Sequence, residues 1–228
     1  FPTRRSSDLH LYGTVANDGE HTWVVYNRPR ADVTSTEEIM IARVSCKGAV
    51  DVGPLVVSDT ESDLRNYQPM LTIHDDKVHV AWTSEDGAQK SIHYQWYNLD
   101  GTAGLQAPAD ITPSIGGTPV GQTVWEPQLV ASSDGMLVLA SGGFPGVPLF
   151  RLSGQRFGID GMRDGDAFEV APQGEGQQFN PSASRAENGD IYLSWTRHVP
   201  ADQQNMTPEQ PQRVVFGKIP AGADEIDT

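Results

Sequence analysis

The stretch Tyr67-Gln-Pro-Met-Leu71, which is followed after a short turn by Val78-His-Val-Ala-Trp82, decides how the chain folds because its pattern recurs. The aromatic-x-Pro opening returns at Trp125-Glu-Pro127 and at Phe179-Asn-Pro181. In each copy a turn begins nine residues after the aromatic residue, and an apolar run follows the turn. Two apolar runs joined by a short turn that contains Asp or Asn predict a β-hairpin, so each copy opens with one.

A similar turn at Asp18-Gly19 marks an earlier copy that lacks the aromatic-x-Pro opening. The chain therefore divides into four copies, at about residues 10–66, 67–124, 125–178 and 179–228. Successive copies begin 54 to 58 residues apart. The turns of the three later copies are placed at Asp76-Lys77, Asp134-Gly135 and Asn188-Gly189.

Each copy carries two further strands. Third strands are expected at residues 39–44, 92–97, 149–152 and 214–219. Each of these strands runs into a glycine. The glycines of the first, second and fourth copies are Gly48, Gly101 and Gly222, and that of the third copy is either Gly154 or Gly161. Weaker fourth strands are expected at residues 54–57, 109–112 and 167–171, and only residues 225–228 remain of the last one.

Four strands in each copy favour a β-propeller in which every copy forms one blade. Familiar blade repeats are roughly 40–50 residues long, and polar insertions account for the longer period here. A β-sandwich is the alternative, but it does not predict four units that repeat in register. We expect an all-β fold, namely a β-propeller fragment with about four blades of four antiparallel strands, the last blade incomplete. The closed ring would hold roughly six to eight blades.

The composition excludes several classes of function. The formal net charge of −14 repels phosphate backbones, so no nucleic-acid partner is expected. No apolar run approaches the roughly 20 residues of a transmembrane helix, so membrane insertion is not expected either. Cys46 is the only cysteine, which rules out an internal disulfide and a thiolate zinc site. Neither metal-ligand spacing nor a phosphate-binding loop occurs, and we predict no metal and no cofactor.

Residues 1–9 are set apart because they resemble the translation of a DNA sequencing adapter. Non-native residues of this kind are excluded from the fold, and residues 10–228 are assigned to one incomplete propeller domain. The natural start and any signal peptide would then lie upstream. We expect an exported bacterial protein that is secreted, periplasmic or on the cell surface.

The repeat resembles the blades of the sialidase-like (neuraminidase) superfamily of propellers. In that family the first strand of a blade often reads aromatic-x-Pro-x-apolar, and an apolar strand ending in Trp follows a turn. Residues 67–82 and 179–195 carry this pattern. The family's Asp-box, Ser-x-Asp-x-Gly-x-Thr-Trp, is absent, although Asp18-Gly-Glu-His-Thr-Trp23 comes near it. The position of the family's catalytic arginine, just before the strand proline, holds Gln68, Glu126 and Asn180.

The resemblance implies the chemistry of retaining sialidases, which use a tyrosine nucleophile, an assisting glutamate and arginines that bind the substrate carboxylate. The arginines available for this role are Arg28, Arg30, Arg65, Arg197 and Arg213, and the acids are Asp63 and Glu126. The alternative is that the loop charges are solvated and that Glu126 is a hydrogen-bonded structural residue. The departures from the family pattern favour this alternative.

Long connections concentrate at one end of the predicted strands, between the second and third strands and between successive copies. A ligand site is expected at this end, because long loops on a rigid scaffold commonly carry function. The candidate ligand-binding residues are Arg65, Glu126, Arg197 and Arg213. We expect a non-catalytic binding or scaffold domain whose partner is a carbohydrate or a protein. The alternatives are a sialidase-like glycoside hydrolase with catalytic residues partly outside this chain, and a purely structural surface protein.

Overall fold

The prediction of an all-β fold is confirmed, because the described residues form strands and turns without a helix. Residues 1–9 and 225–228, on which two predictions rest, lie outside the described part of the chain. The computed structural model describes residues 13–30, 36–58, 64–87, 89–115, 118–119, 124–132, 135–143, 150–170, 176–199 and 211–223.

Four antiparallel sheets follow one another along the chain, and each is a meander of consecutive strands that we call a blade. Blade 1 consists of β1 (Gly13–Asn17), β2 (His21–Pro29), β3 (Glu37–Ser45) and β4 (Val50–Val56). Blade 2 consists of β5 (Arg65–His74), β6 (Lys77–Asp86), β7 (Gln89–Asn98) and β8 (Ala109–Asp110). A small hairpin of β9 (Ser114–Ile115) and β10 (Thr118–Pro119) follows blade 2.

Blade 3 consists of β11 (Val124–Ser132), β12 (Gly135–Gly143), β13 (Phe150–Gly158) and β14 (Arg163–Glu169). Blade 4 contains three strands among the described residues, which are β15 (Gln177–Arg185), β16 (Ile191–His198) and β17 (Arg213–Ile219).

Several predicted boundaries were wrong. The turn of blade 2 is formed by Asp75 and Asp76 and not by Asp76-Lys77, since His74 pairs with Lys77 and both aspartates have positive φ, at 47° and 57°. A two-residue hairpin turn of this backbone shape follows the twist of its strands. Gly154 lies inside β13, where it pairs with Leu139, and does not end the strand. The fourth strands of blades 1 and 3 begin earlier than expected, at Val50 and Arg163. The fourth strand of blade 2 begins where it was expected but is only two residues long.

The turn after the third strand contains a left-handed glycine in every blade. Its glycine has a positive φ of 75° to 87° in all four copies, a backbone shape that other residues adopt at a cost. In blades 1 to 3 the glycine N–H donates to the carbonyl three residues earlier, with all three distances at 2.9 Å. These glycines are Gly48, Gly101, Gly161 and Gly222.

The apolar core lies between neighbouring blades, because the sheets bury the faces that they turn toward one another. Trp23 and Val25 of blade 1 pack against Val80 and Trp82 of blade 2. A second cluster joins blades 2 and 3, and a third joins blades 3 and 4. The innermost strands β1, β5, β11 and β15 contact one another in that order. They therefore surround a common channel.

The meander places the ends of the innermost strands at opposite mouths of this channel. Connections between the second and third strands, and connections between blades, share the mouth where β5, β11 and β15 begin. Blade 2 is an exception to the long connections expected here, since only two residues separate β6 from β7. We call this end the upper mouth.

Candidate ligand site at the upper mouth of the channel

The aromatic-x-Pro motif forms a β-bulge near the start of three innermost strands, β5, β11 and β15. The middle residue adopts a left-handed backbone in all three copies, with φ of 52° at Gln68, 57° at Glu126 and 53° at Asn180. The register to the second strand shifts at the same points. Proline cannot donate to the ladder, and a bulge turns the neighbouring side chain out of the sheet pattern. Left-handed backbone in non-glycine residues concentrates at functional sites, so the bulges indicate that a functional site lies in the channel.

The three bulge side chains connect one blade to the next. The backbone N–H of Glu126 donates to Oε1 of Gln68 at 3.2 Å, and that of Asn180 donates to Oε2 of Glu126 at 2.7 Å. Gln68 and Glu126 therefore each accept a hydrogen bond from the backbone of the bulge residue in the following blade. We refer to this chain of contacts as the inter-blade relay.

Glu126 makes a second contact within the relay. With the Asn180 amide turned so that Nδ2 faces the carboxylate, Nδ2 donates to Oε1 of Glu126 at 2.7 Å. Both carboxylate oxygens then accept hydrogen bonds from Asn180, and bonds to charged acceptors contribute more than neutral ones. Glu126 thus joins blades 3 and 4 while it also lines the channel.

An aromatic cavity of about 440 Å³ opens at the upper mouth. This size falls within the range of small-molecule sites, which are mainly apolar with a few polar groups that orient the ligand. Three aromatic rings come from blades 2, 3 and 4, and the polar groups are two amides, one carboxylate and one ammonium. The lining residues are Tyr67, Gln68, Lys90, Glu126, Phe150, Gln177 and Phe179.

A second cavity of about 290 Å³ lies further along the channel and shares Gln68 and Glu126 with the first. All four innermost strands line it, from Gly13 in β1 to Pro181 in β15. Gln68 and Glu126 of the inter-blade relay therefore lie between the two cavities. The aromatic cavity is at the mouth, and the smaller cavity lies between the strand prolines.

Two cations lie close to the ring of Tyr67. The guanidinium carbon of Arg65 is 5.1 Å from the ring centroid, and Nζ of Lys90 is 5.4 Å from it. Both distances are within the range of cation–π attraction. Carboxylates are also near, since Arg65 is 3.6 Å from Glu37 and Lys90 is 3.9 Å from Glu85. The charges on this side of the mouth are therefore largely balanced.

The four predicted site residues fall into two groups. Arg65 and Glu126 lie on the innermost strands of neighbouring blades, and Glu126 lines both cavities. Arg197 and Arg213 are direct cross-strand partners on the second and third strands of blade 4, at the same end of the molecule. Of the other residues considered, Arg28 pairs with Glu38 at 2.6 Å, and Asp63 lies outside the described residues.

Sequence reasoning missed several of the residues that line the aromatic cavity beside Glu126. Lys90 is the second residue of β7, and Phe150 is the first residue of β13. The repeat pattern does not mark either position as part of a binding site. Gln68 and Asn180 carried a signal, because they occupy the same motif position as Glu126. Within the described residues, no group of three or more His, Cys, Asp or Glu side chains is placed to hold a metal ion. In that same part of the chain no helix is long and apolar enough to cross a membrane.

Neither a family model nor a curated protein matches this chain. Several solved structures are similar to this chain in fold. An α-L-arabinanase from Penicillium chrysogenum, solved with arabinobiose, superposes with a TM-score of 0.63 and 17% identity over 95% of this chain and 64% of its own. The fold is a β-propeller. The sucrose-6-phosphate hydrolase from Lactobacillus gasseri gives a TM-score of 0.61 at 12% identity, over 97% of this chain and 49% of that one.

The α-L-arabinofuranosidase from Fusarium graminearum also matches this propeller, with a TM-score of 0.59 and 16% identity over 95% of this chain and 62% of that one. These similar structures are all propeller glycoside hydrolases. At such identities the likeness shows the fold alone. The propeller described here spans about half the length of the Lactobacillus enzyme. Its narrower resemblance to sialidases stays a prediction.

The backbone at the bulge leads to a direct test. Replacing Gln68 by valine should lower the free energy of unfolding by about 1–2 kcal/mol more than replacing it by glycine, because only glycine tolerates left-handed φ without strain. Both variants lose the amide that accepts from Glu126, so the cost of the lost hydrogen bond cancels when their stabilities are compared. Urea denaturation measures it. Equal stability of the two variants would show that position 68 is not left-handed.

Proposed function

We propose that this propeller binds a carbohydrate in the aromatic cavity at its upper mouth. The observation that carries the proposal is the combination of three aromatic rings with a carboxylate and two amides around one cavity. Sugars present apolar C–H faces and hydroxyl edges, and aromatic rings with oriented polar groups complement both. The propeller glycoside hydrolases of similar fold support this class of ligand.

The geometry favours binding over catalysis. Most glycoside hydrolases use two carboxyl groups, about 5–5.5 Å apart when they retain and about 6.5–9.5 Å apart when they invert configuration. The described lining of the aromatic cavity offers one carboxylate, Glu126, and both of its oxygens are engaged by Asn180. A carboxylate held in this way orients neighbouring groups and fixes the shape of the site. An exported location remains part of the proposal.

Replacing Phe179 by alanine should weaken sugar binding by roughly tenfold or more, because one aromatic wall is lost. The probes are arabinobiose, sucrose and sialyllactose, and binding is followed by saturation-transfer NMR and calorimetry. Phe216→Ala is the matched control, since Phe216 is a phenylalanine of the same blade that is 73% exposed and is not among the residues that line the cavity. Absence of binding by the unaltered protein to every probe at millimolar concentration would contradict the proposal, as would equal losses in both variants.

A second candidate function is glycoside hydrolysis, with further catalytic groups contributed by residues beyond those described. The structural neighbours favour it, since they are glycoside hydrolases. Glu126→Gln separates the two functions, because glutamine has almost the same shape and can still accept the N–H of Asn180. Hydrolysis of aryl glycosides that disappears in this variant, while binding persists, would support the hydrolase. Undetectable hydrolysis by the unaltered protein leaves the binding function.

A further inference from the structure

One face of blade 4 exposes large apolar side chains on neighbouring strands. Val214 is 63% exposed, Phe216 is 73% exposed and Tyr192 is 52% exposed. Thr196 pairs with Val214 and Ser194 pairs with Phe216, so these side chains share one face of the sheet. The opposite face is covered, because Leu193 and Trp195 pack in the core between blades 3 and 4. We call the exposed side the outer face of blade 4.

The same positions are buried in the preceding blades. Ile92 pairs with Thr83 in blade 2 as Val214 pairs with Thr196 in blade 4, and Tyr94 then corresponds to Phe216. Both Ile92 and Tyr94 are fully buried in the core between blades 2 and 3. In blade 3 the position of Ile92 is held by Leu152, which is fully buried against blade 4. The outer face therefore carries the pattern of an inter-blade surface.

The inter-blade relay is a second observation, independent of the apolar pattern, that marks the outer face as an inter-blade surface. Gln68 accepts the backbone N–H of Glu126, and Glu126 accepts that of Asn180. Asn180 is the next member, it has the same left-handed backbone, and it is exposed beside the outer face. With Nδ2 turned to Glu126, its Oδ1 is the acceptor that corresponds to Oε1 of Gln68.

We propose that the outer face of blade 4, together with Oδ1 of Asn180, is the docking surface for a further blade of the same repeat. The incoming blade carries an aromatic-x-Pro bulge whose middle N–H donates to Asn180. Its docking face is apolar, as the Leu71, Val80 and Trp82 face of blade 2 is toward blade 1. The isolated exposed patch then becomes a fourth inter-blade core. This proposal does not depend on the carbohydrate site.

The test supplies such a blade from the chain itself. A second copy of residues 58–112, which contains blade 2 and the link before it, is appended after Thr228. Val214→Cys in a Cys46→Ser background reports burial of the outer face through the rate of thiol labelling, since Cys46 is exposed. The rate should fall by roughly tenfold or more in the extended protein, because a buried thiol reacts only when the interface opens. The midpoint of thermal unfolding should rise by about 5 °C.

Three comparisons make the result decisive. Met162→Cys, at a residue 72% exposed on blade 3, should label at the same rate with and without the extra blade. Phe216→Lys should restore fast labelling at position 214, and Asn180→Gly should remove part of the thermal gain in the extended protein only. Unchanged labelling at 214 in the extended protein would overturn the proposal. So would a dimer of the original chain that protects position 214, because the occupant would then be a second copy.

Discussion

Replacing Trp82 by alanine is expected to lower the free energy of unfolding by about 3–5 kcal/mol. Trp82 is 1% exposed and fills the core between blades 1 and 2. Its Nε1 donates to Oδ1 of Asn66 at 3.0 Å, and its ring stacks on His93 with centroids 5.9 Å apart. The substitution therefore leaves both a cavity and a lost hydrogen bond. Urea denaturation followed by circular dichroism measures the loss.

The effect should extend to the ligand site, because Asn66 precedes Tyr67 in β5. Asn66 also donates to the carbonyl of Glu37 in blade 1 at 3.2 Å, so it links Trp82 to the neighbouring blade. Trp82→Phe should lose less stability, since a ring remains and Ser84 still donates to Asn66 at 2.6 Å. Tyr192→Ala is the control at a residue 52% exposed on blade 4, and a change within about 0.5 kcal/mol is expected. Equal losses at positions 82 and 192 would mean that the inter-blade core is not where the structure places it.

Trp82 illustrates what could be predicted from the sequence. Its position at the end of an apolar strand, repeated at Trp195, indicates a residue packed between repeating units, and both are buried. The four-strand meander follows from the same reasoning, because strand length, turn residues and period act locally along the chain. The glycine after each third strand was also visible, since its left-handed backbone is a local requirement. Local rules therefore account for most of the architecture.

The ligand site was harder to predict for two physical reasons. The left-handed backbone at Gln68 and Glu126 has no signature in residue type, because it is imposed by the bulge and the neighbouring proline. The cavity joins side chains from separate blades, such as Lys90 and Phe179, whose proximity depends on how the blades pack. Glu126 was identified because it lies between Trp125 and Pro127, where an innermost strand begins near the channel mouth. Its bonds to Asn180 across 54 residues of sequence could not be anticipated.

Lowering the pH from 6.5 to 4 should remove about 3 kcal/mol of stability through His79 alone. His79 is 1% exposed, and its Nδ1 lies 2.8 Å from Oη of Tyr94 in the core between blades 2 and 3. Burial, helped by the nearby charges of His74 and Lys77, lowers the pKa of His79 from its ordinary value of 6.5 to about 4. The unfolded chain therefore binds a proton near pH 6.5 that the folded chain binds only near pH 4. This contribution is fully present above pH 6.5 and is lost progressively down to pH 4.

The double variant His79→Leu with Tyr94→Phe should flatten the stability profile in this window, because neither a titrating group nor a buried unpaired hydroxyl remains. Leucine suits the position, since Leu137 occupies the equivalent place in blade 3 and is also buried. Tyr94→Phe alone is the matched control and should keep the pH dependence, because burial and not the hydroxyl is the main cause of the lowered pKa. Urea midpoints between pH 4 and 7.5 give the profiles. Aspartates lose their contribution to stability at lower pH than His79 does. At Asp18, desolvation raises the pKa, but hydrogen bonds from Glu20, His21 and Trp23 outweigh it and hold the pKa below its ordinary value. A double variant as pH-sensitive as the unaltered protein would place the titration outside the inter-blade core.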